Sequence, residues 1–375
     1  MRTTYLVRFI LLCLCQDVVV HGFGLLLPNR DVGLSLGRFS KSRGCDLTPR
    51  RTRPTPALRN HEHGHRNRRV TAMGFWDDFA RSGGLNGGTP ADKKCPVLIC
   101  PAQLSVPGDY QDMIEELSAR GFQASCADLT RAGWITGLLP SALSPEYFKG
   151  ELTPAKTLKF YYDAIDRTLE QIKASHPGQG VHIVGHSIGG WVARAWLAEG
   201  CSTTDRENVL SLTTLGTPNN GPPEDAGGPW AAVDQTRGLL KNINARFPGA
   251  HVEGVRYTSV AGAALEGKFP GSVEEMLAFV SYLPLCGKGG SRGDGIIPLD
   301  VATLEGSTVV ELPTSKHSGF VPFPGDSISL GADFLWYGSP SLMEEWVGNL
   351  DTAERERASR RRRQAAGGGS GRWPW

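Results

Sequence analysis

From Pro96 to Leu312 the chain alternates between short β-rich runs and stretches whose apolar residues recur with a helical period. PVLIC (96–100), FQASCADL (122–129), VHIVG (181–185), VLSLTTL (209–215), VRYTSVAG (255–262) and STVVEL (307–312) read as strands. Between the first two, Asp109 caps a helix with Tyr110, Met113, Ile114 and Leu117 at i, i+3, i+4 and i+7. Thr153 and Pro154 open a long helix that carries Leu158, Tyr161, Ile165, Leu169 and Ile172 on one face, with Pro177 and Gly178 just past its end. A helix from Ile188 to Glu199 closes at Gly200, and a last one lies near Leu342–Leu350. Apolar strands that alternate with helices build a parallel sheet covered on both faces. The expected fold is α/β: a mostly parallel, doubly wound sheet over residues 95–350, with helices on both faces. A small cap finds room in 131–150 and in the Gly/Pro-rich stretch 217–250.

Charge divides the chain into the same parts. Residues 1–72 carry 13 basic and 4 acidic side chains, and residues 351–375 carry 7 and 3. The whole chain is only +2, so the middle is −11. An acidic body excludes nucleic-acid binding by the core, because neutralising phosphates requires clustered Lys and Arg. Arg2 and Arg8 flank a short apolar run, Phe9–Cys15, so residues 1–20 read as a signal-peptide-like leader. No stretch reaches the roughly 20 apolar residues of a membrane span. Residues 21–94 read as a basic transit or disordered segment: 21–72 hold 11 basic against 3 acidic residues. The two-part leader resembles that of algae with secondary plastids, which implies plastid targeting, with the ER or secretory pathway as the alternative. HEHGH (61–65) reads as a solvated His/Arg tract and 351–375 as a disordered basic tail. Beyond residue 94 there are five cysteines without CxxC spacing, which fits neither a disulfide framework nor a zinc site.

Three segments match G-x-S-x-G: GLSLG (33–37), GHSIG (185–189) and GGSRG (289–293). Only Ser187 follows a β-branched strand and opens an apolar-periodic helix, the context of a nucleophile elbow. The turn is tight enough to demand Gly185 and Gly189, and it pushes the hydroxyl out at the C-terminal edge of the sheet, where ligands bind in such folds. A serine needs a base. Of the nine histidines only His251 and His317 lie beyond Ser187. His251 precedes a strand and belongs at the opposite edge. His317 follows the last strand and is assigned the base. The acid lies between Ser187 and His317 in this chain order. Asp294, in GDGIIPLD and 23 residues before His317, is the choice, with Asp300 as the alternative. Asp205 precedes a strand, and Asp234 lies in the cap. The oxyanion donors are expected to be the amide of Ile188, at a helix N-terminus, and that of Gln103, with Leu104 behind it. Pro101 has no N–H to give. This set needs no metal or cofactor. Trp134, Ile135, Leu138, Leu139, Phe320 and Val321 are candidates to line an apolar acyl pocket.

These residues carry a resemblance. The chain resembles the α/β-hydrolase superfamily in its serine esterase and lipase branch, and more narrowly a group of plant and algal, often plastid-directed, hydrolases. The similar stretches are PGDY (107–110), ELTPAKTLKFYYDAID (151–166), GHSIGGWVARAW (185–196), TLGTPNN (214–220), DQTRGLL (234–240) and GDGIIPL (293–299). The family's first loop usually contains glycine; here Ala102 follows Pro101. The resemblance implies ester hydrolysis by Ser187, Asp294 and His317 on an apolar acyl or lipid ester. The expected partners are that small-molecule or lipid ester and, peripherally, a membrane surface. Acyl transfer to another alcohol uses the same three residues. The elbow is also similar to GPI inositol-deacylases, and a non-catalytic binding module on the same scaffold is the rival from another class.

Overall fold

A computed structural model describes residues 94–221, 234–322 and 326–367. The two leader segments up to residue 93, the HEHGH tract, GLSLG and residues 368–375 lie outside them. The described residues all belong to one compact unit.

Six of the described strands form the main sheet: β1 (Val97–Cys100), β2 (Ala124–Cys126), β3 (Val181–His186), β4 (Val209–Leu215), β5 (Arg256–Gly262) and β8 (Thr308–Leu312). Their order is β2-β1-β3-β4-β5-β8, parallel throughout. Two residue pairs, β6 (Leu265–Glu266) and β7 (Arg292–Gly293), form a small antiparallel ladder. The six main strands fall on the six β-rich runs expected from the sequence, the second shortened to three residues. Their register aligns Cys100 with Gly185, His186 with Leu215, and Gly262 with Leu312. The loops that follow these residues therefore leave the sheet along one edge.

Side chains alternate across the sheet with period two. Val97, Ile99, Val184, Leu215 and Val260 pack with Tyr110, Met113 and Leu117 of helix α1 (Gln111–Ala119) and its lead-in turn. Leu98, Cys100, Ile183 and Leu212 face the other way. They meet α4 (Lys159–Ser175), α5 (Ile188–Ala195) and α6 (Leu239–Arg246), together with Trp134 of α2 (Arg131–Ala142). The long helix expected from Thr153 is split: one turn at Pro154–Thr157, then α4 beginning at Lys159.

The cap stretch 131–150 is helical, as α2 and α3 (Pro145–Lys149). Gly137 and Pro140 obscure the period of α2 in the sequence. Helix α7 (Val273–Cys286) was not foreseen either; it carries Pro284 and leaves Val280 exposed, so its apolar pattern is not one-sided.

The C-terminal segment corrects the sequence reading. A disordered tail was expected from residue 351, but helix α8 runs without interruption from Pro340 to Gly367. The reason is tertiary. Trp346, Leu350 and Ala353 are buried, and beyond them polar contacts take over. Asp351 pairs with Lys94 at 3.0 Å and Glu356 with Arg256 at 2.6 Å. Glu354 accepts the Cys95 amide at 2.8 Å, Arg357 reaches the Glu207 carbonyl, and Arg360 reaches that of Gly254 at 3.0 Å. Arg361, Arg362 and Arg363 stay exposed, so the segment is helical although most of its arginine run is solvated.

Candidate active site

The turn between β3 and α5 puts Ser187 at φ 53°, ψ −127°. Left-handed backbone at a residue with a side chain is strained, and neighbouring packing has to hold it there. Three glycines allow that packing. A Cβ on Gly185 would strike the Gly190 backbone, one on Gly189 would strike the carbonyl of Cys100, and one on Gly190 would strike Thr217. The absence of a side chain at Gly189 lets the loop after β1 lie against the start of α5. The Ser187 amide donates to the Leu215 carbonyl at 2.9 Å, which ties the bend to β4.

The Ser187 side chain does not cap the helix behind it. Its Oγ lies 3.0 Å from Nε2 of His317, and Nδ1 of His317 lies 2.7 Å from Oδ2 of Asp294. The structure thus brings Ser187, His317 and Asp294 together from positions up to 130 residues apart. A carboxylate only accepts, so Nδ1 carries the proton and Nε2 is bare. The serine hydroxyl can donate to it. The His317 backbone amide also donates to the Asp294 carbonyl at 3.0 Å, which fastens the two loops a second time.

Asp294 is 2 % exposed, and each of its oxygens is occupied. Oδ1 accepts the amides of Ile296 at 2.9 Å and Ile297 at 2.7 Å. Oδ2 accepts His317 and the hydroxyl of Tyr337, each at 2.7 Å. Burial works against the charged carboxyl, but the His317 ring and the two amides outweigh it and hold Asp294 below its ordinary range. Gly216 and Gly262, at the ends of β4 and β5, make the space: a Cβ on either would strike Asp294 and Tyr337.

The amides of Ile188 and Gln103 donate to no protein acceptor among the described residues. Ile188 is the first residue of α5, where helical N–H groups have no intrahelical partner. Leu104, at φ 60°, bends the loop after Gln103. The neighbouring Ala102 amide is engaged by the Tyr110 hydroxyl at 2.7 Å.

The remaining sequence candidates lie elsewhere. Asp300 is exposed in a single turn, Leu299–Ala302. Asp205 pairs with Lys173, and Asp234 accepts bonds from Thr236 and Gly238. His251 bonds the Gly249 carbonyl next to Phe247 and Tyr257. Trp134 is buried in the core and donates to the Ser105 carbonyl at 3.0 Å, and Phe320 packs on Tyr110 and Trp336. Ile135 is exposed on the cap. Sequence reasoning passed over Tyr337, His186 and Tyr110. His186 occupies a free position of the motif, Tyr110 read as one more apolar residue of a helix face, and Tyr337 lies in an unpatterned stretch before the last helix. Among the described residues no three His, Cys, Asp or Glu side chains are grouped so as to hold a metal ion, and no helix is long and apolar enough to cross a membrane.

A family model described as alpha/beta hydrolase fold matches residues 96–262. No curated protein sequence matches the chain. Among solved structures, the mature form of a Bacillus licheniformis lipase is 19% identical at a TM-score of 0.40, covering 61% of this chain and 86% of that one. The phospholipase PlaB of Legionella pneumophila is 14% identical at a TM-score of 0.37, over 60% of this chain and 52% of that one. Lipase B of Aspergillus fumigatus is 14% identical at 0.30, over 47% and 39%. Likenesses this remote do not carry chemistry across.

Proposed function

The chain belongs to the α/β-hydrolase superfamily, and we propose that it is a serine hydrolase of carboxylic esters acting on apolar acyl or lipid esters. The observation that supports this most is His317, whose two ring nitrogens lie 3.0 Å from the Ser187 hydroxyl and 2.7 Å from the Asp294 carboxylate. In this reading Nε2 of His317 takes the hydroxyl proton as Oγ attacks the ester carbonyl. The amides of Ile188 and Gln103 receive the negative charge that forms on the carbonyl oxygen. Asp294 keeps the ring in the correct tautomer and stabilises the imidazolium. His317 then gives its proton to the departing alcohol, and water repeats the sequence on the acyl-enzyme.

Labelling with a fluorophosphonate tests the nucleophile directly. The expected adduct forms on Ser187, located by mass spectrometry, and Ser187→Ala loses both the adduct and about 10⁶-fold in kcat on ester substrates. His317→Ala is expected to abolish turnover, and His251→Ala to leave it intact; the reverse would overturn the choice of base. Product analysis with a competing alcohol separates hydrolysis from acyl transfer, because the two differ only in what attacks the acyl-enzyme.

A further inference from the structure

Beside the site lies a chain of buried hydrogen bonds that the acyl-transfer steps do not use. The Ala102 amide donates to the Tyr110 hydroxyl at 2.7 Å. That hydroxyl lies 2.8 Å from Nδ1 of His186, and Nε2 of His186 lies 2.8 Å from the backbone carbonyl of His317. The direction of each bond follows. A carbonyl only accepts, so the His186 proton is on Nε2 and Nδ1 is bare. The Tyr110 O–H therefore donates to Nδ1 and accepts from Ala102. Each donor is used once, and one tautomer satisfies the whole chain. Burial depresses the His186 imidazole first, the nearby His317 adds to it, and the ring falls to about 3, so it stays neutral at ordinary pH. The titratable groups facing His186 are Tyr110, His317 and Asp294. The rings of Phe320, Trp336 and Tyr337 pack around it.

The placement matters more than the bonds alone. Ala102 precedes Gln103 in the loop after β1, His317 is in the loop after β8, and these loops leave non-adjacent strands of the sheet. His186 stands between them, one residue before Ser187, and is fully buried. We propose that Tyr110 and His186 are positioning residues that form a single strut, holding the Gln103 amide and the His317 ring in register about Ser187. The proposal rests on the acyl-transfer reading for its functional consequence, but the strut itself can be measured without turnover. If the two residues only filled space, loss of the Tyr110 hydroxyl alone would leave amide exchange at His317 unchanged.

The experiment is a double-mutant cycle on the full chain with a short soluble ester. Tyr110→Phe removes only the hydroxyl, and His186→Leu removes both ring partners. Each is expected to lower kcat about 10- to 100-fold through misplaced groups, with KM within about twofold of wild type. The double variant should lose no more than the worse single one, and His186→Gln, which keeps an amide donor for the His317 carbonyl, should recover part of the loss. Losses that multiply in the double variant would overturn the proposal. Hydrogen exchange supplies the second measurement. In Tyr110→Phe the amide of His317 should exchange faster along with that of Ala102, though Tyr110 does not bond His317; unchanged exchange at His317 would overturn the strut. Should Tyr110→Phe fail to fold, His186→Leu is read the same way at Ala102. A wild-type chain inert to fluorophosphonate would sink the acyl-transfer reading, and exchange would still decide the strut.

Discussion

The main sheet carries a serine, a histidine and a carboxylate in hydrogen-bond contact at each of its two edges. At the C-terminal edge these are Ser187, His317 and Asp294. At the N-terminal edge the Ser211 hydroxyl lies 2.8 Å from Nδ1 of His182, and Nε2 of His182 lies 3.2 Å from Glu354. The residue types match, but their settings differ. Ser211 sits inside β4, in register with His182 on one side and Arg256 on the other, and is 1 % exposed. No carbonyl of a substrate reaches it. Ser187 is half-buried on a strained bend, with the unpaired amide of Ile188 beside it at a helix N-terminus. Under the proposed acyl-transfer reading, contact among three side chains is not enough. A reachable hydroxyl and donors for the developing oxyanion are also required. The N-terminal cluster has a different role: Glu354 belongs to α8, and its bonds to His182 and Cys95 fasten that helix to the sheet.

The contrast yields expectations of decreasing size. Asp294→Asn should lower kcat by about 10⁴-fold, because an amide at this place favours the wrong tautomer of His317. Glu354→Gln should leave kcat unchanged. An equal loss from both, measured on one ester at fixed pH, would erase the distinction between the edges. Tyr337→Phe should act on the pH profile. Without this donor on Oδ2, Asp294 becomes a stronger partner for imidazolium, so the acid limb of kcat/KM should move to higher pH by about one unit, or ~1.4 kcal/mol. A shift to lower pH would contradict the charge argument.

The N-terminal cluster should register in stability instead. Burial opposes the charge on Glu354, but the His182 ring and the Cys95 amide outweigh it and hold the carboxyl below its ordinary range. A depressed carboxyl stabilises the fold above its unfolded value, and that contribution fades as pH falls through the folded value. Glu354→Gln should therefore unfold more easily by about 1 kcal/mol near neutral pH and differ less from wild type in acid, by urea denaturation at both. Ser211→Ala is the smallest change, about 1 kcal/mol or less with activity intact.

Much of this arrangement was legible before any coordinates. The main strands are β-rich runs, and the central four, β1, β3, β4 and β5, are buried on both faces, which demands such runs. Ser187 stood out because a strand, a tight glycine turn and a helix follow one another there. Chain order then pointed to His317 and Asp294, which the structure brings within hydrogen-bond reach. Helices α2 and α7 were hidden by internal proline and by apolar residues left facing outward. The far half of α8 was misread because its support comes from Lys94, Arg256 and the carbonyls of Glu207 and Gly254, none of which is near it in sequence.

The sequence by itself determined the segments that become the main strands and helices α1, α4 and α5, the strained bend at Ser187, and the residue types available at the sheet's edge. Those are local matters of side-chain period, backbone freedom and chain order. Only the tertiary structure decided that Tyr337 shares an oxygen of Asp294 with His317, that His186 links Tyr110 to the His317 carbonyl, and that Ser211 meets a histidine where no substrate reaches. Hydrogen bonds between residues 43 and 131 positions apart depend on how loops close over a packed sheet. No periodicity encodes that closure.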